Sequence, residues 1–180
     1  MIGLPGQTLW DLAGDLEFFR LIGADMIGMG PYLPQDGTPI GDQWLARHAS
    51  ESSEQSAQYR TELFELSCRM IALSRITLGD VNISATTALQ AINPIGREIA
   101  LGRGANMLMP ILTPTKYREN YQLYQGKPCI DEGHEECRNC LSTRVMFADK
   151  DLALFDWGDP PHYERVKLQP EQQHQSPQAQ

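Results

Sequence analysis

Three of the four cysteines in this chain cluster, and they are the residues best suited to chemistry. Cys129, Cys137 and Cys140 lie in the segment CIDEGHEECRNC as Cys-x7-Cys-x2-Cys. A Cys-x2-Cys pair offers two thiolates on one turn, and the third cysteine closes a loop back over them. Thiolates suit zinc or iron–sulfur clusters. His134 lies within the loop, so a Cys3His zinc site is chemically open too. Three reduced, unliganded surface thiols are the alternative. Cys68 stands alone in an apolar helical pattern and reads as an inert core residue. Met1-Ile2-Gly3-Leu4-Pro5-Gly6 has neither a basic region nor a long apolar run, so it is not a signal peptide. A reducing cytoplasm is therefore expected, where clustered cysteines mean metal more often than disulfides.

A second candidate is Thr86-Thr87-Ala88. These residues follow the apolar run Asn82-Ile83-Ser84-Ala85 and fall at the C-terminal end of an expected strand, the end that carries ligands in parallel β/α folds. Two hydroxyls followed by backbone N–H groups could cradle a carboxylate or phosphate. They could equally leave the strand and cap a turn. Met26, Met29, Met107 and Met109 lie on or near two strands. Of these, Met29 and Met109 are expected to face a pocket, and the others read as core. Tyr117, Tyr121 and Tyr124 share one expected helix at i, i+4, i+7, a packing stripe or a pocket rim. Gly3-Leu4-Pro5-Gly6-Gln7-Thr8 sits where a phosphate loop could sit but lacks the Gly-Lys-Ser/Thr ending. His48, His162 and His174 fall in polar or terminal segments and are expected to be solvated. The Ser, His and Asp residues form no recognisable nucleophile motif.

The elements that must position these groups alternate. Met1–Leu4 reads as a buried strand beginning at residue 1, which hints that residues once preceded it. Thr8 and Asp11 form a capping box for a helix to about Ile22, closed by Gly23. Asp25–Met29 is a second strand, followed by a Pro/Gly loop through Ile40-Gly41 and a flexible Ser/Glu/Gln-rich insertion over Arg47–Gln58. Helical spacing resumes from Thr61 to Leu78. The strand Asn82–Thr87 precedes a helix at about residues 94–103. The strand Asn106–Met109 precedes a helix from Pro114 to about Tyr124. The cysteine loop at 129–140 leads to a short helix ending near Phe147, and the tail from Gln169 is expected to be disordered. Four strand–helix units argue for a parallel sheet of β-α-β crossovers. A closed (β/α)8 barrel needs roughly 200–250 residues. Four strands alone would expose two unpaired edges, so the expected fold is a small open sheet or half of a barrel.

Composition bounds the partners. The 180 residues carry 15 basic and 23 acidic side chains, a net charge of −8. Clustered cations for phosphate neutralisation or for anionic lipid are absent, so neither a nucleic acid nor a membrane surface is an expected partner. No run of 18 apolar residues is present, so no membrane span is expected. Hydrophobic residues at 41% suffice for a packed core.

Several segments together resemble one family. MIGLPGQT, DMIGMGPYLP with DGTPI, ISATTALQAINPIGRE, GANMLMPILTPTKYRENYQLYQGKPCID and the closing Cys-x2-Cys are similar to the C-terminal half of the radical S-adenosylmethionine maturases of [FeFe] hydrogenase, the HydE type. The similarity runs from Met1 to about residue 145, with a weaker echo at Asp156-Trp157-Gly158. The resemblance implies an α/β fold: the C-terminal half of a (β/α)8 radical-SAM TIM barrel over residues 1–125, a cysteine-rich accessory cluster segment over 126–150, and a partly disordered tail over 151–180. A biotin/thiamin-synthesis-associated C-terminal segment is implied as well. The implied activity is reductive cleavage of S-adenosylmethionine at a [4Fe–4S] cluster. The resulting radical would act on a cysteine-derived iron carbonyl/cyanide precursor, alongside other hydrogenase maturation proteins.

By the same resemblance, Met26 lies near S-adenosylmethionine. Thr86, Thr87 and Ala88 hold a substrate carboxylate, and Met109 and Tyr124 line that cavity. Cys129, Cys137 and Cys140 hold an accessory iron–sulfur cluster. The radical-generating motif Cys-x3-Cys-x2-Cys does not occur in these 180 residues, so no catalytic residue is assigned and the chain is expected to be inactive alone. A missing N-terminal half would explain this. Two other readings stand beside it: a stand-alone zinc or iron–sulfur module, and a relative of biotin synthase or methylornithine synthase.

Overall fold

The computed structural model describes residues 1–118, 120, 123–124, 127–128 and 134–173, of which 134–138 and 168–173 are given as helix backbone. The first helix, α1 (Leu9–Leu21), starts at the expected capping box. Thr8 accepts from the Asp11 amide, and the Asp11 carboxylate accepts from the Thr8 amide and hydroxyl. Those bonds hold the Asp11 carboxyl below its usual value. The helix closes through Ile22 onto Gly23, whose φ of +61° is a conformation glycine adopts without a Cβ clash.

Strands β1 (Met26–Met29) and β2 (Asn82–Ala85) pair in parallel, Ile27 against Ile83 and Met29 against Ala85. Two further parallel segments flank them. Ile2 bridges to Pro31 on one side, with the Ile2 amide donating to the Gly30 carbonyl at 3.0 Å. Met107 bridges to Ser84 on the other, its carbonyl accepting from the Ala85 amide at 2.9 Å. The spatial order therefore follows the sequence: Ile2, β1, β2, Met107. This is an α/β arrangement with a small parallel sheet at its centre.

Between β1 and β2 run α2 (Pro39–His48) and the long α3 (Ser53–Leu78). After β2 come α4 (Thr87–Ile92) and α5 (Gly96–Gly102), then the single turn α6 (Thr115–Arg118). α7 (His134–Phe147) and α8 (Pro161–Gln173) are the last helices among the described residues. The core joins Ile27, Met29, Ile83 and Ala85 from the strands to Leu12 and Leu16 of α1, Leu63, Phe64 and Ile71 of α3, and Leu89 of α4. Cys68 is fully buried here, and burial pushes its thiol above the ordinary value, as an inert core cysteine requires.

Several expectations are corrected. The segment Arg47–Gln58 is not a flexible insertion: α2 runs to His48 and α3 starts at Ser53, capped by a Ser52–Gln55 box. Pro39-Ile40-Gly41 opens α2 with Pro39 in its first turn, instead of belonging to a loop. The strand ends at Ala85, not Thr87, because Thr87 already begins α4. Among the described residues, the stretch expected to be a helix from Pro114 to Tyr124 holds the α-helical turn α6 and Tyr124 is not helical, so Tyr117 and Tyr124 do not share a helix; Tyr121 lies outside the described residues. Cys137 and Cys140 stand on a helix, since α7 begins at His134. The backbone over Gln169–Gln173 is helical, and residues 174–180 lie outside the described residues.

Met29 faces the helices at 3% exposure and is core, so it does not face a pocket. His48 is not simply solvated: its ring stacks on Trp44 at 3.9 Å, and its Nδ1 lies 2.7 Å from the Trp44 carbonyl. His162 also has a partner, with Nδ1 2.8 Å from an Asp25 carboxylate oxygen.

Candidate functional site

The C-terminal ends of β1 and β2 converge on Gly30 and on Thr86-Thr87-Ala88. Thr86 is the residue before α4, yet its hydroxyl makes no capping bond. Its Oγ1 is buried and has no hydrogen-bond partner among the described residues. A buried hydroxyl without a partner is unfavourable, so this oxygen is available to a ligand. A Cβ placed on Gly30 would stand 2.4 Å from Thr86 Oγ1 and 3.5 Å from the Ala88 Cβ. Only glycine at position 30 leaves Thr86 in place. Thr87 Oγ1 and Tyr124 Oη share a hydrogen bond of 3.0 Å. Two hydroxyl residues, a small residue and a phenol thus gather at one end of the sheet, the end where parallel β/α folds place ligands.

The other expected residues are spread out. Met26 begins β1, at the opposite end of the strand from Gly30, with 43% of its surface exposed. Met109 lies two residues past the Met107 bridge and is half exposed. The phosphate-loop reading of Gly3–Thr8 is closed by Gln7. Its Oε1 accepts from the Gly3 amide at 2.8 Å and the Leu4 amide at 3.3 Å, and its Nε2 donates to the Met1 carbonyl. The amides that would cradle a phosphate are already used.

Of the three clustered cysteines, Cys129 lies outside the described residues. Cys137 is placed as backbone in α7, and Cys140 is a half-buried free thiol. Among the described residues no three His, Cys, Asp or Glu side chains gather as metal ligands. Within the described residues this donor set amounts to one side chain, the Cys140 thiol. Cys137 and Cys140 are one turn apart on α7, hence on neighbouring positions of one face. One turn further along, Arg144 carries a buried Nε–H with no acceptor among the described residues.

Sequence reasoning missed the groups that hold the opposite, N-terminal end of the strands. Asn106 Oδ1 accepts from the Ile83 amide at 2.8 Å and from Arg75 at 3.0 Å, while its Nδ2 donates to Asn82 at 2.9 Å. Asn82 in turn donates to the Gly158 carbonyl at 2.8 Å. Arg75 Nε donates to the Gly104 carbonyl at 3.0 Å and Nη1 to the Val81 carbonyl at 2.8 Å, and burial lowers the guanidinium from its ordinary value. Arg165 of α8 pairs with Asp80, and His162 with Asp25. The C-terminal segment therefore straps the N-terminal ends of β1 and β2. A cavity of about 780 Å3 lies beside this strap, bordered by Arg75, Asn106, Met107, Val145, Leu152 and Trp157. Apart from the echo at Asp156-Trp157-Gly158, no signal in the sequence marks these residues, because each partner is distant along the chain.

No protein-family model matches the chain. The [FeFe] hydrogenase maturase subunit HydE of Thermotoga maritima is 40% identical to it over 158 residues, which is 88% of this chain. The chain spans 40% of that relative's length. Among the described residues, no helix is long and apolar enough to cross a membrane. The resemblance first suggested by the motifs is thereby established: over most of its length this chain is a sequence relative of the [FeFe] hydrogenase maturase subunit HydE.

Proposed function

We propose that the chain forms the C-terminal part of a cytoplasmic radical S-adenosylmethionine maturase for [FeFe] hydrogenase. It would supply four β/α units of a (β/α)8 barrel together with one wall of the substrate cavity. The carrying observation is the unpartnered, buried Thr86 hydroxyl beside the Thr87–Tyr124 hydrogen bond at the ligand-binding end of the sheet. In this reading Thr86 donates to a substrate carboxylate, Tyr124 fixes the rotamer of Thr87, and Ala88 and Gly30 leave room for the ligand. Met109 lines the same cavity, whereas Met26, at the opposite end of β1 from Gly30, stands apart from it. Reductive cleavage of S-adenosylmethionine at a [4Fe–4S] cluster would supply the radical chemistry. The Cys-x3-Cys-x2-Cys motif for that cluster is not among these residues, so the 180-residue chain does not generate the radical by itself. Cys129, Cys137 and Cys140 hold an accessory iron–sulfur cluster, and the substrate is a cysteine-derived iron carbonyl/cyanide precursor shared with other maturation proteins.

A chimera tests this. The chain replaces the aligned segment of the Thermotoga maritima protein, and hydrogenase activation is measured. The chimera should activate hydrogenase, and Thr86→Val should lower activation by about tenfold or more, given roughly 1.5–3 kcal/mol for a hydrogen bond to a charged group. An active chimera indifferent to Thr86→Val would overturn the cavity assignment. Formation of 5′-deoxyadenosine by the reconstituted 180-residue chain alone would overturn its dependence on a further cluster motif.

A further inference from the structure

We propose that Ser84 is a second ligand-binding hydroxyl, one step below Thr86 on the same face of β2, and that the ligand is a two-ended polar molecule. Its carboxylate meets Thr86, and a second hydrogen-bonding group meets Ser84. This deepens the cavity reading of Thr86 given above and rests on it.

The two faces of the β1–β2 pair differ. Ile27, Met29, Ile83 and Ala85 enter the core with the helices. Side chains alternate along a strand, and register partners project to the same side. Position 28, paired with Ser84, therefore lies on the opposite face. A Cβ on Gly30 would stand 2.4 Å from Thr86 Oγ1, which puts positions 30 and 86 on that face as well. Along β2 it carries three polar residues in a column, Asn82, Ser84 and Thr86, at steps of about 6.6 Å.

The column is satisfied only at its lower end. Asn82 accepts from Asn106 at 2.9 Å and donates to the Gly158 carbonyl at 2.8 Å. Ser84 is fully buried, and neither its Oγ nor Thr86 Oγ1 has a hydrogen-bond partner among the described residues. One buried hydroxyl without a partner is unfavourable, and two in succession on one face have a common explanation in one ligand. Beside them β1 offers no side chain: Gly28 is exposed, and Gly30 stands against Thr86. The glycines form the floor of a slot, β2 its wall and Asn82 its closed end. A ligand apolar beyond its carboxylate would leave the Ser84 hydroxyl unpaired, so the group that reaches it is polar.

A serine that served the fold would behave differently. Its removal would cost stability. With no partner inside the protein, the Ser84 hydroxyl can be removed with stability unchanged or raised, and the loss falls on the ligand.

Ser84→Ala, Thr86→Val and Gly28→Ala are made in the Thermotoga maritima chimera, and hydrogenase activation and the urea unfolding midpoint are measured on each. Ser84→Ala should keep or raise the midpoint and lower activation about three- to tenfold, the worth of one neutral hydrogen bond. A Cβ at position 28 meets only the Ser84 Cβ, at 3.8 Å, an ordinary contact. Gly28→Ala should therefore keep the midpoint too, yet lower activation, because its methyl occupies the slot. Full activation by Ser84→Ala or by Gly28→Ala, beside a loss with Thr86→Val, overturns the role of Ser84 and leaves the Thr86 cavity standing. A Ser84→Ala chimera that unfolds at lower urea, or does not fold, makes the serine structural and overturns the proposal as well. Activation indifferent to Thr86→Val overturns the cavity reading itself, and a chimera inactive before any substitution overturns the maturase reading beneath both.

Discussion

Gly30 shows how a site can depend on an atom that is missing. An alanine there would put its Cβ 2.4 Å from the Thr86 hydroxyl and 3.3 Å from the Thr86 Cβ, so one of the two must move. Gly30→Ala should destabilise the chain by about 1–3 kcal/mol, the usual range for overpacking, as read by urea unfolding. The same substitution in a Thr86→Ala background should do far less, because the clash is removed; an unchanged loss there would place the strain elsewhere. Thr87→Val removes the 3.0 Å bond to Tyr124 and should cost about 1 kcal/mol, with Tyr124→Phe costing a similar amount and the double variant little more. The hydroxyl pair was legible, since adjacent threonines at the end of an apolar run stand out in the sequence. Gly30 was not legible, because its role is an approach to a residue on the neighbouring strand, and a glycine before Pro31 reads only as a turn. Tyr124 carried a misleading spacing, as the helix it seemed to share with Tyr117 stops at Arg118.

Helix ends followed the same division between local and distant causes. The Thr8–Asp11 box was read directly from type and spacing. The start of α3 was missed although Ser52 and Gln55 form the same device, because its first turns are polar and exposed and so lack the apolar period. Ser52→Ala should therefore lower stability by about 1 kcal/mol, which a chemical unfolding curve would register; no change would mean the first turn of α3 contributes nothing. α8 is held by contacts that no local pattern reveals. The Arg165 hydrogen bond, against a smaller effect of burial, keeps the Asp80 carboxyl below its ordinary value. A carboxyl depressed in the folded state stabilises it fully above the unfolded value and loses that contribution as pH falls through the folded one. Protection of α8 amides from hydrogen exchange should thus be constant near neutrality and decline below about pH 3.9, the unperturbed aspartate value. Asp80→Asn should show the lower protection at every pH, and a variant that matched the unsubstituted profile would separate α8 from this ion pair.

At the scale of the whole molecule, the order of the four parallel segments was legible because buried strands and amphipathic helices alternate with turn residues between them. How much pairing each strand makes was not. β1 and β2 form a ladder, while Ile2 and Met107 each form one bridge among the described residues, for pairing is decided by neighbours and not by the strand's own composition. The outer sides of these two segments carry no strand among the described residues, and α1 presents Trp10, Phe18 and Leu21 to solvent with Trp10 87% exposed. Open sheet edges and apolar helix faces of this kind drive association. The net charge of −8 opposes it, but only across the screened distances between acidic surfaces, about 8 Å at physiological salt. Light scattering on the 180-residue chain should therefore give a mass that rises with concentration and with added salt, as repulsion is screened while apolar contact persists. Trp10→Lys with Leu21→Lys should restore a concentration-independent monomer, since the lysines interrupt the apolar face of α1 without touching Leu12 or Leu16 in the core. A monomer at every concentration before substitution would mean that these surfaces are too small or too well hydrated to associate, and the half-open sheet would then be a stable end state of this sequence.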